Sequence, residues 1–110
     1  MIDKRTIKAG DLWPPLQYTI RYADLSLDLT TAITDATPVT FSMRKRNTGV
    51  VAIDDEPGTV TISNGHVIAS MDWPVGSTAS RGTYDVWMTF DVGGLQATVP
   101  SRGFMEVSIE

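Results

Sequence analysis

Hydrophobic and polar residues alternate along most of this chain with a period of two, the spacing of a strand that buries one face. Leu16, Tyr18, Ile20 and Tyr22 alternate with Gln17, Thr19 and Arg21. Val39, Phe41 and Met43 alternate with Thr40, Ser42 and Arg44. Further strands are predicted over 50–53 and 59–63, and after Asn64-Gly65, a strong hairpin signal. In that next strand Val67, Ala69, Met71 and Trp73 point one way, and His66, Ile68 and Ser70 the other. The longest predicted strand is 83–92, with Tyr84, Val86, Met88, Phe90 and Val92 on one face. Gly93-Gly94 turns it back into 96–100, and the last strand is 104–109, with Met105, Val107 and Ile109 in phase. No window of about 11 residues shows helical spacing.

The gaps between these runs are short and rich in turn formers. Trp13-Pro14-Pro15 opens the first long strand, because prolines cannot donate to a ladder. Asn47-Thr48-Gly49 reads as a turn, and Asp54-Asp55-Glu56-Pro57-Gly58 as a polar one. Many short alternating strands predict an all-β fold of two antiparallel sheets packed face to face, with about seven to nine strands. Gly82-Thr83-Tyr84 fits a tyrosine corner, in which a buried ring sends its hydroxyl back to the backbone.

Length and composition narrow the picture. The chain has 110 residues, 42% of them hydrophobic and 20% charged, the profile of one folded domain. Residues 14–110 are read as that domain, and 1–13 as an N-terminal arm or edge strand. No apolar run of signal-peptide or membrane-spanning length occurs. The absence of cysteine excludes disulfides, a thiol nucleophile and Cys-ligated metal. Nine basic residues against 13 acidic ones, a net charge of −4, argue against binding nucleic acid by phosphate neutralisation.

Candidate chemistry is sparse. His66 is the only histidine, so a Ser–His–Asp triad or a multi-histidine metal site has nothing else to draw on. Asp54, Asp55 and Glu56 lack calcium-loop spacing and read as a solvated turn. No phosphate-binding glycine loop or nucleophile elbow occurs. The expectation is therefore a non-enzyme with no cofactor and no metal.

The aromatic and basic residues carry more information. Trp87 is out of phase with Tyr84, Val86, Met88 and Phe90, so it faces outward beside Asp85 and Thr89. It is either a docking anchor or covered by another part of the same chain. As a docking anchor, its truncation leaves stability nearly unchanged. Trp13, beside Pro14 and Pro15, packs on the sandwich edge or anchors a neighbouring chain. Arg44-Lys45-Arg46 is the one basic run, a charged strand end or a contact for an anionic partner. The candidate interface is thus Trp13, Pro14, Pro15, Arg44, Arg46 and Trp87. The candidate core includes Leu29, Phe41, Met43, Trp73 and Tyr84.

Several segments in order resemble the phage baseplate-upper-protein N-terminal family. They are Pro14-Pro15-Leu16, Asp28-Leu29-Thr30 and the run from Val39 through Phe41 and Met43 to Arg44. Trp73, Gly76-Ser77-Thr78, Gly82-Thr83-Tyr84 and the run from Thr98 to Phe104 continue the likeness. Ser77 stands where the family usually has Asp, Thr31 where it has Gly, and Ile33 to Pro38 are extra. The resemblance implies an immunoglobulin-like sandwich acting as a structural part of a phage or prophage virion, in its tail, baseplate or fibre region. Its implied partners are other virion proteins, in copies set by particle symmetry, with no nucleic acid and no membrane. Its implied location is the virion, after synthesis in the bacterial cytoplasm. The alternatives are a capsid-surface decoration protein and a small carbohydrate-binding module that stacks sugars on Trp13, Trp87 and Tyr22.

Overall fold

The computed structural model describes residues 4–20, 33–64, 66–100 and 104–110. Nine strands occupy them: β1 (Lys4–Ile7), β2 (Leu16–Ile20), β3 (Val39–Lys45), β4 (Val51–Pro57), β5 (Thr59–Ser63), β6 (His66–Met71), β7 (Gly82–Val92), β8 (Leu95–Val99) and β9 (Met105–Ile109). The larger sheet has the order β1-β9-β7-β3-β4, with β8 also on β7; the smaller is β2-β6-β5. Every described pairing is antiparallel except β1 with β9, which is parallel. The fold is an all-β sandwich of two packed sheets.

Strand β7 is the axis of the larger sheet. One of its edges takes β3, from Val39 opposite Phe90 to Lys45 opposite Tyr84. The other edge is shared: β9 covers Gly82–Val86 and β8 covers Met88–Val92. The alternation seen in sequence matches the faces. Tyr84, Val86, Met88 and Phe90 are buried, as are Phe41 and Met43 on β3 and Met105, Val107 and Ile109 on β9. Leu16, Tyr18, Ile20, Val67, Ala69 and Met71 meet them from the smaller sheet in one continuous core. Trp73 is buried as well, and its indole Nε1 donates to the Pro14 carbonyl at 2.9 Å. The Tyr84 hydroxyl donates to the Ser80 carbonyl at 2.6 Å, a tyrosine corner at the start of the long strand. Leu29 and Tyr22 lie outside the described residues.

The acidic run corrects the turn expected from composition. Strand β4 continues through Asp54, Asp55 and Glu56 to Pro57. Pairing with β3 overrides the turn propensity of these residues. The strand accommodates them with register shifts on either side of Met43, and Asp55 adopts a left-handed φ of 50°. Its N–H donates to Ser42 Oγ at 3.1 Å, and its carboxylate lies 3.4 Å and 3.5 Å from the hydroxyls of Ser42 and Thr40. The turn is compressed to Gly58, where the chain crosses to the smaller sheet. A Cβ there would lie 2.6 Å from both the Phe41 ring and the Ser70 carbonyl oxygen, so only glycine passes without a shift.

At the N-terminus, Lys4–Ile7 lies on the chain's own sheet as edge strand β1. It is held there by Ala9 N–H to the Glu110 carbonyl and Glu110 N–H to the Ile7 carbonyl.

Candidate functional site

The outer face of the larger sheet carries a row of charges set by strand register. Arg44 on β3 stands opposite Asp85 on β7, which stands opposite Glu106 on β9, which stands opposite Lys4 on β1. Two like carboxylates side by side would repel. Arg46, just beyond β3, resolves this by reaching over both. Its Nε donates to Asp85 at 2.9 Å and its Nη1 to Glu106 at 2.9 Å. Arg44 lies 3.9 Å from Asp85, and Lys4 lies 3.7 Å from Glu106. The hydrogen bonds from Arg46 to Asp85 and then Glu106 raise the guanidinium pKa above its ordinary value.

Asp85 differs from its expected setting. It points outward as its phase requires, yet it is only 8% exposed, because the arginines lie over it. Burial of a carboxylate is tolerated here because it is paired and hydrogen-bonded.

Beside the charge row lies an aromatic pair. Trp87 packs against Phe104 at 5.6 Å between centroids, with the rings tilted by 56°. The Arg44 guanidinium sits over both, 5.6 Å from the Trp87 ring and 5.4 Å from the Phe104 ring. Trp87 therefore faces outward, but its own chain covers part of it and leaves it half-buried. Phe104 remains 39% exposed. The result is a preset patch of aromatic surface and oriented guanidinium groups, the residue types that dominate protein–protein binding energy.

Trp13, Pro14 and Pro15 belong to a different place. They lie in the connection from β1 to β2, at the side seam where the two sheets end. Trp13 is 77% exposed and makes no ring contact with Trp87 among the described residues. Pro14 and Pro15 line a groove of ≈ 350 Å³ between β1 and β2, floored by Leu16, Trp73 and Val107. The predicted interface residues thus divide between a sheet face (Arg44, Arg46, Trp87) and a seam (Trp13, Pro14, Pro15).

Sequence reasoning missed Lys4, Phe104 and Glu106 as parts of the face, and it placed Asp85 on the outward side of β7 without assigning it to the interface. Phe104 was within reach of it, since continuing the last strand's alternation turns this ring outward. The Arg46 bridge was not, because it depends on which strands are neighbours. His66 opens β6 and is exposed. Among the described residues no group of three or more His, Asp or Glu side chains is placed to hold a metal ion. Among the described residues no helix is long and apolar enough to cross a membrane.

Comparison with family models, curated proteins and solved structures found no match to this chain.

Proposed function

We propose that this chain is a non-enzymatic structural component of a bacteriophage or prophage virion. In this reading it is an immunoglobulin-like assembly module of the tail, baseplate or fibre region, and it holds neighbouring virion proteins. The phage setting rests on the sequence resemblance. The observation that carries the binding role is the outer-face cluster, in which Arg44 covers Trp87 and Phe104 while Arg46 ties Asp85 to Glu106. Aromatic and arginine side chains held in place before contact lose little conformational entropy on binding. The net charge of −4 supports protein partners over nucleic acid. Particle symmetry would present many copies of the same face.

Gold-labelled antibody against the chain, applied to purified particles, tests this reading by electron microscopy. Label on the tail or baseplate is the expected result. Particles without the chain would end the proposal, and label on the capsid shell would replace the tail placement with a decoration role. In the same system, Arg44→Ala combined with Trp87→Ala is expected to lower incorporation while the isolated chain stays folded.

A further inference from the structure

The edges of the two sheets are protected unequally. At one end of the larger sheet β4 carries three carboxylates, a proline and two register shifts. At the other end β1 is four residues long and carries Lys4 and Arg5. Charges, proline, bulges and brevity all discourage a further strand. Strands β2 and β5, the two edges of the smaller sheet, carry no charge, proline or register shift, and of these two only β2 lines the groove beside β1. Its five residues, Leu16–Ile20, are uncharged, and they pair with β6 without a register break. Among the described strands β2 has no partner on its other side.

The Gln17 carbonyl marks the direction of the edge groups of β2. Arg5 Nε donates to the Gln17 carbonyl at 3.3 Å from across the seam, so that carbonyl points away from β6. In an antiparallel pair, residues whose groups point away from the partner alternate with residues that bond to it. Gln17 and Thr19 therefore present N–H and C=O groups to the open side, while Leu16, Tyr18 and Ile20 serve the ladder with β6. The groove of ≈ 350 Å³ lies along this edge. Its floor is apolar, and Arg5, held over the Tyr18 ring at 4.8 Å, is the only charged side chain among its described lining residues.

We propose that the free edge of β2 is a strand-addition site for an extended segment of a partner chain that carries an apolar and an acidic side chain two residues apart. Backbone hydrogen bonds to Gln17 and Thr19 supply affinity. Side chains on one face of the added strand supply specificity. Two positions apart puts both on the inward face, where the apolar one fills the groove and the carboxylate meets Arg5. Arg5 then exchanges its long bond to the Gln17 carbonyl for a charge-assisted one, and the partner's N–H takes over that carbonyl. This site shares no residue with the outer face of the larger sheet, so each stands or falls separately.

The probe is a fluorescent, capped peptide of alternating threonine with one valine and one glutamate two positions apart. One control has lysine in place of glutamate, and another is N-methylated at alternate residues. The full-length chain is expected to bind the glutamate peptide about tenfold more tightly than the lysine peptide. The N-methylated peptide is expected not to bind. Amide exchange at Gln17 and Thr19 should slow in the bound state. Arg5→Ala should remove the preference for glutamate. Thr19→Pro, which deletes an N–H that the β6 ladder does not use, should abolish binding while the amide spectrum of the core persists. Equal binding of the glutamate and lysine peptides, no binding of either, or protection at another edge would each overturn the assignment.

Discussion

Tyr84 illustrates how much one buried hydroxyl is constrained. Its bond to the Ser80 carbonyl lies beneath the turn into β7, away from competing water. Tyr84→Phe keeps the ring but leaves that carbonyl short of a donor. It is expected to cost about 1–3 kcal/mol in urea unfolding. Trp87 behaves differently from a free surface residue. Because Arg44 and Phe104 pack on it, Trp87→Ala should cost about 1–2 kcal/mol, rather than nothing. That loss is still well below the about 3–5 kcal/mol of truncating a core aromatic. Arg46 offers a test by pH. Its folded-state pKa is raised, so its stabilisation is complete below the ordinary guanidinium range and is lost only as pH climbs through the folded value. The difference in melting temperature between the natural chain and Arg46→Ala should therefore stay constant from about pH 6 to about pH 9. A gap that narrows within that range would count against the bridge.

At the scale of elements, β4 and its exit are the most conditional part of the sandwich. The strand crosses three acidic residues only because β3 supplies a ladder and Ser42 and Thr40 receive the Asp55 side chain. Asp55→Ala keeps the left-handed φ but loses these partners, so it should destabilise by about 1–2 kcal/mol in chemical unfolding. Asp55→Gly should be milder, because glycine occupies that region without strain. Gly58 is the sharper case. Alanine there meets the Phe41 ring and the Ser70 carbonyl together, and overpacking of this kind costs about 1–3 kcal/mol. If Gly58→Ala melts at the same temperature as the natural chain, the close crossing between sheets is wrong.

The whole molecule is a single packed unit in which both sheets contribute to one core. A domain of this size with one core unfolds cooperatively. Far-ultraviolet and near-ultraviolet circular dichroism should give coincident transitions, with an unfolding enthalpy of about 75 kcal/mol for 110 residues. Separate transitions for the two sheets would show that the core is not shared. Two unlike surfaces, a patterned sheet face and an open strand edge, lie on different parts of this unit.

The all-β class, nearly every strand and the buried face of the clearly alternating ones were legible in the alternation itself. Period two is a local property of the backbone, and burial of one face imposes it on the residues directly. Tyr84, Phe41, Met43 and Trp73 were identified as core by phase alone, and Trp87 was turned outward by the same count. What alternation cannot carry is which strand lies beside which. The row from Arg44 through Asp85 and Glu106 to Lys4 draws on four strands, and its members are neighbours only through the pairing order. The same holds for β4, where partners on β3 prevailed over local turn preference, and for the seam, where Arg5 on β1 reaches the Gln17 carbonyl on β2. Local patterning determined the elements and their inner faces. Tertiary pairing alone decided which charges and rings share the surface, because a surface cluster is made across strands.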